Sequence, residues 1–175
     1  MLFRSMDSET MLIRPFRRNC NAEAAVPGSK SISNRALILA VMCGGKVKLK
    51  GLLESEDVDL MQRALQNLDV KIQKEKDYTI IEGTKGKIKK NECFINVGNA
   101  GTIARFLTCL LAAQKKGIYT MDGTKAMRER PMAELLESLC EMGCSVQYEK
   151  EYGKFPFLMR PRDRKSTRLN SSHLV

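Results

Sequence analysis

Residues 30–82 and 101–160 read as one unit written twice, with a period of about 70 residues. Arg35 falls on Arg105 and Leu37 on Leu107. KVKLKG ends at Gly51 where IYTMDG ends at Gly123, and the run DLMQRALQNLDVKI falls on AELLESLCEMGCSV. A duplication limits the fold, because both copies must form the same supersecondary unit and must together bury what neither can bury alone. Each copy reads helix, strand, helix, strand, turn, strand. In the second helices Val58, Met61, Leu65 and Leu68, and again Met132, Leu135, Leu136 and Leu139, recur at helical spacing and mark core faces. VKIQ, YTII, CSVQY and FPFLM carry the β-branched and aromatic residues of strands, with KEKD and EKEYGK as the turns between them. The expected class is α/β with stacked repeats. KVKLK and KGKIKK read as exposed strand edges, where lysine discourages aberrant pairing.

The first helix of each copy is apolar except for one arginine, Arg35 or Arg105, expected in its first turn. A cation there opposes the helix macrodipole, which favours a carboxylate by a few tenths to about 1 kcal/mol. Each arginine follows a loop bearing glycine and hydroxyl groups, PGSKSISN or GNAGT. Glycine lets backbone approach a ligand, N–H groups at a helix start point outward, and Ser31, Asn99 and Thr102 add donors, so the pattern is that of an anion site. Lys30 and Arg35 complete a phosphate clamp. Ser31, Ser33 and Thr102 alone would read as ordinary N-caps, but capping gains nothing from the neighbouring cations.

TKAMRERPMAELL places Arg128 and Arg130 just before Pro131, a residue suited to the first helical position. The segment takes the topological place of ESEDVD in the first copy with the opposite charge, which points to a second anion facing Arg130. Asp57, by contrast, reads as a favourable first-turn carboxylate. PGSKS lacks the adjacent Gly-Lys-Ser/Thr and the glycine spacing of a P-loop, and there is no dinucleotide fingerprint.

The two ends read differently. DRKSTRLNSSH (Asp163 to His173) and LFRS (Leu2 to Ser5) resemble translated sequencing-adapter sequence, so residues 1–5 and 163–175 are expected to be non-native and 6–162 to be the native stretch. Of the +10 formal charge, Arg4 carries one and the tail a net two, from Arg164, Lys165 and Arg168 against Asp163, which leaves +7. The only histidine, His173, lies in that tail, so neither histidine catalysis nor a histidine-ligated metal is expected. The longest apolar run, Ala36 to Cys43, is far short of the roughly 20 residues of a membrane span. The six cysteines show no C-x-x-C pair and read as buried, reduced thiols of a cytosolic protein.

PGSKSISNRAL, GNAGTIARFL and MRERPM resemble, in order and spacing, the signature segments of the enolpyruvyl transferase family, and within it the branch acting on shikimate 3-phosphate. The sister branch, which acts on UDP-N-acetylglucosamine, reads more like GAKN at the first segment. The resemblance implies an inside-out α/β barrel of βαβαββ units, helices inside and sheets outside, in two domains of three units each. Two of the six units, at about 26–82 and 94–160, would be present, forming part of the first domain. It further implies transfer of the enolpyruvyl group from phosphoenolpyruvate to the 5-hydroxyl of shikimate 3-phosphate with release of phosphate, a step of the shikimate pathway to chorismate and aromatic amino acids.

By that resemblance Lys30, Ser31 and Arg35 hold shikimate 3-phosphate, and Lys30, Gly101 and Arg130 hold phosphoenolpyruvate, supported by Asn99, Thr102 and Arg105. No cofactor or metal is implied. The proton-transferring carboxylates and lysine belong to a later part of such proteins, so no catalytic residue is expected in this stretch and the chain alone is expected to be inactive. Ala126 departs from the pattern, which often carries an arginine there. The full-length protein is expected to be a cytoplasmic monomer, or plastid-located in a plant, without a membrane or nucleic-acid partner. The competing class is a nucleic-acid-binding domain, prompted by the charge of +7. It has little support, with no tryptophan, few aromatics among the basic residues, and cations in separate patches.

Overall fold

The computed structural model describes Glu23 and residues 26–161. The adapter-like stretches, Cys20 and His173 lie outside the described residues.

The first copy runs α1 (Lys30–Met42), β1 (Gly44–Lys50), α2 (Glu56–Asn67), β2 (Ile72–Lys74) and β3 (Tyr78–Thr84). A strand β4 (Glu92–Asn96) leads into the second: α3 (Gly101–Ala112), β5 (Ile118–Asp122), the single turn α4 (Lys125–Arg128), α5 (Ala133–Glu141), β6 (Ser145–Tyr148) and β7 (Phe157–Arg160). The first sheet is antiparallel in the order β1-β3-β2. The second has the order β4-β5-β7-β6, in which β5, β7 and β6 repeat the first sheet's arrangement and β4 pairs parallel to β5. The fold is therefore α/β with one antiparallel and one mixed sheet among the described residues. β4 and α4 are elements that the residue pattern alone did not reveal.

The amphipathic stripes are core, with Val58, Met61, Leu65, Leu68, Met132, Leu136 and Leu139 buried and only Leu135 partly so. They join Leu37 and Val41 of α1, Ile103, Leu107 and Leu111 of α3, and the sheet residues Ile81, Tyr119, Met121 and Phe157 in one cluster. α1 packs against both α2 and α3, and α2 also meets β4. β1 is an edge strand, with Lys46, Lys48 and Lys50 exposed along it. KGKIKK, however, is not a strand. Lys85 and Gly86 turn with positive φ, and Ile88 plugs the core, its N–H donating to Gln114 Oε1 at 2.8 Å.

Two further expectations change. Ser29 caps α1 by accepting from the Ile32 N–H, and α3 starts at Gly101, so Arg35 and Arg105 both stand in the second turn, where opposition to the macrodipole is weaker. Of the described cysteines only Cys93 is buried; Cys43 follows the last turn of α1, while Cys109 and Cys140 lie on outward helix faces.

Candidate anion-binding site

The loops after β4 and β5 lie side by side because those strands are parallel and in register at Asn96 and Asp122. Backbone bonds join them. Val97 N–H donates to Asp122 O at 2.8 Å, and Thr124 N–H donates to Gly98 O at 2.9 Å. Gly123 is required by this approach, since a Cβ there would stand 2.7 Å from Gly98 O.

At the mouth of these loops lies a cavity of about 510 Å³ lined by Lys30, Glu56, Asp57, Asn99, Gly101, Thr102, Arg105 and Arg130, among others. α3 begins there with no side-chain cap, Ala100 being its N-cap, so its first N–H groups are left for another acceptor. Over Gly101 two guanidinium groups converge: a Cβ at this position would lie 3.0 Å from Arg105 Nη1 and 3.2 Å from Arg130 Nη1. Arg105 also donates to Gly101 O and Pro131 O. Arg130 is exposed, and its guanidinium has no hydrogen-bond or ion-pair partner among the described residues.

The structure thus gathers Lys30, Asn99, Gly101, Thr102, Arg105 and Arg130 around one cavity. Ser31 and Arg35 are not in its lining. They pair with each other, Arg35 donating to the Ser31 hydroxyl and, at 3.1 Å, to the Ser31 carbonyl, with its guanidinium 5.4 Å from the centre of the Phe106 ring on α3. Arg35 and Arg105 hold the same posture, each reaching the carbonyl four residues back. Ser33 is no cap; buried, it accepts from Leu53 N–H. Pro131 precedes α5 by two residues instead of opening it.

Asp57 does stand in the first turn of α2, but it also pairs with Lys30, Nζ to Oδ2 at 3.0 Å. With Lys30 mostly in solvent such a pair is worth about 0–1 kcal/mol, weak enough for an incoming anion to displace. Arg128, named with Arg130 from the sequence, is committed elsewhere. It clasps Asp122 at the end of β5 through Nε–Oδ1 (2.8 Å) and Nη2–Oδ2 (2.5 Å). These bonds, helped by the Gly123 N–H and opposed by burial, hold the Asp122 carboxyl below its ordinary value of 3.8.

A depressed carboxylate stabilises the fold above the unfolded-state value, and that contribution disappears as pH falls through the folded one. Asp122→Asn should therefore cost about 1–3 kcal/mol near neutral pH, and the gap between the urea midpoints of the two proteins should close in acid. A gap unchanged from neutral pH to below the carboxylate range would show that the charge is not its source.

Among the described residues no cluster of three His, Cys, Asp or Glu side chains is placed to hold a metal, and no helix is long and apolar enough to cross a membrane.

A family model described as EPSP synthase (3-phosphoshikimate 1-carboxyvinyltransferase) matches residues 17–173. The chain belongs to the EPSP synthase family. The match runs beyond Arg162, through most of the stretch read as adapter. A curated relative from Opitutus terrae, named 3-phosphoshikimate 1-carboxyvinyltransferase, is 39% identical over 153 residues, covering 86% of this chain and 36% of its own. One of the same name from Paraburkholderia phymatum is 37% identical, covering 87% and 35%. A solved EPSP synthase from Acinetobacter baumannii superposes with a TM-score of 0.70 at 29% identity, over 79% of this chain and 31% of that one. The chain thus spans about a third of the length of the EPSP synthase relatives it matches.

Proposed function

We propose that this chain carries part of the substrate-binding surface of an enzyme that transfers the enolpyruvyl group from phosphoenolpyruvate to the 5-hydroxyl of shikimate 3-phosphate with release of phosphate. The supporting observation is the convergence of Arg105 and Arg130 over Gly101 at the uncapped start of α3, with Lys30 on the same cavity. Phosphoenolpyruvate carries a phosphate and a carboxylate, and guanidinium forks and free helix N–H groups are the donors that suit both. Lys30, Gly101 and Arg130 take this substrate, with Asn99, Thr102 and Arg105 in support. Ser31 and Arg35, with Lys30 on the same first turns of α1, take the phosphate of shikimate 3-phosphate. The reaction needs no metal or cofactor from these residues. The acid and base that move protons at the reacting carbon come from the rest of the enzyme.

In this reading residues 6–162 form two of six units of an inside-out α/β barrel. The groove of about 620 Å³ between α1 and α3, floored by Ile38, Met42, Phe106, Cys109 and Leu110, receives the helix of a third unit. The exposure of Met42, which lines the groove, supports this, since apolar helix faces left in water usually mark an interface. The full-length enzyme is a cytoplasmic monomer with no nucleic-acid or membrane partner.

Titration of the isotope-labelled chain with phosphoenolpyruvate tests the binding role. Amide shifts should cluster at residues 99–102 and 130, with a dissociation constant in the millimolar range or weaker because the contacts are solvent-exposed. Shifts confined to other surfaces would remove the proposal's basis.

A further inference from the structure

In the second copy the loop that presents Arg130 is built differently from its counterpart in the first. There β1 ends in Lys50 and α2 starts at Glu56, whereas β5 ends in Asp122 and the separate turn α4 stands before α5. A single four-residue turn has little stability of its own. Three anchors hold it: Thr124 accepts from Met127 N–H, Met127 is fully buried, and Arg128 closes its two-pronged bond to Asp122. Glu129 is drawn the other way, to Lys154 at 3.8 Å. Arg130 N–H donates to Met127 O at 3.1 Å, Pro131 O accepts from Arg105, and Met132 N–H donates to Gly153 O. Of the three residues Arg128-Glu129-Arg130, the first two are thus tied and the third is left to face the cavity.

We infer that Asp122 is a positioning residue for Arg130, acting through Arg128: the carboxylate at the end of β5 fixes the α4 turn, and the turn fixes where the Arg130 guanidinium stands over Gly101. Both carboxylate oxygens are used. Oδ1 accepts from Arg128 Nε and Gly123 N–H, and Oδ2 accepts from Arg128 Nη2. An amide in place of the carboxylate would set an N–H₂ group against a guanidinium N–H and lose one prong. The Asp122 side chain is only 15% exposed, so water offers little replacement. Asp122 touches no substrate in this arrangement. The inference rests on the reading of Arg130 as a phosphoenolpyruvate contact.

The test is a double-mutant cycle on the full 175-residue chain, with phosphoenolpyruvate affinity read from amide shifts. Asp122→Asn should weaken binding about twofold to fivefold in the chain that keeps Arg130, and should have no further effect in an Arg130→Ala background. A role confined to stability would weaken both backgrounds alike, and that result overturns the inference, as does unchanged affinity in Asp122→Asn. If Asp122→Asn does not give a folded spectrum, Arg128→Lys, which keeps the charge and loses the fork, takes its place in the same cycle with the same expected pattern. Absence of any shift in the unsubstituted chain would instead overturn the phosphoenolpyruvate reading, and the positioning role with it.

Discussion

Mixed with phosphoenolpyruvate and shikimate 3-phosphate, the 175-residue chain alone should release no phosphate at an enzymatic rate. The reason lies in the openness of the cavity. Lys30 is 58% exposed and already shares its charge with Asp57, and Arg130 projects into solvent. Contacts of this kind contribute about 0–1 kcal/mol each in water. Holding two anions in reacting contact and excluding water is worth many powers of ten in rate, and it takes walls on both sides of the substrates. Among the described residues the site has one wall, and the relatives carry nearly twice as much chain again beyond the matched part. A phosphate-release assay on the purified chain, alone and with the unmatched portion of the Opitutus terrae relative supplied in trans, separates the outcomes. Turnover by the chain alone would refute the expectation, whereas turnover only with the added portion would bear it out.

Replacing Phe157 by alanine should unfold the chain or bring it close to unfolding. Phe157 is fully buried on the inner strand β7, paired with Met121 of β5 and Tyr148 of β6 and 4.9 Å, ring centre to ring centre, from Phe155. Its loss opens a cavity at the centre of the second sheet, where the strands on both sides limit collapse. Buried Phe→Ala substitutions cost about 3–5 kcal/mol, much of the roughly 5–15 kcal/mol that holds a domain together. Chemical denaturation read by circular dichroism measures the effect, and a midpoint shift worth under about 1 kcal/mol would mean that the sheet repacks around the vacancy.

The repeat was legible because its evidence is periodic: Val58, Met61 and Leu65 announce a core-facing helix whatever surrounds them, and so do Met132, Leu136 and Leu139. β4 was not, because ECFIN is short and its partner β5 lies across the whole of α3. Lys30 could be picked from local composition, since glycine, hydroxyl and cation together are unusual at a helix start; Arg130 stood out by the charge of its loop, and Gly101 was named only through the family resemblance. Their meeting in one cavity could not be read there, nor could the turning of Arg35 onto Ser31 and Phe106, because both depend on how α1 crosses α3. Asp122 left a trace that charge comparison would have caught. In the first copy a lysine ends the strand before an acidic segment, and in the second an aspartate ends it before a basic one. In the second copy that strand end pairs with its own following loop.

Among the described residues neither sheet borrows a strand from the other copy: the first uses residues 44–84 and the second 92–160. A nascent chain can therefore close its first ladder once Thr84 has left the ribosome, before any strand of the second has been made. What that early half lacks is cover for the faces of α1 and α2 that later meet α3 and β4. During synthesis the hazard is exposed helix surface and not unpaired strand, so a slow stretch of translation between residues 84 and 92 would lengthen the time in which this surface is open to aggregation.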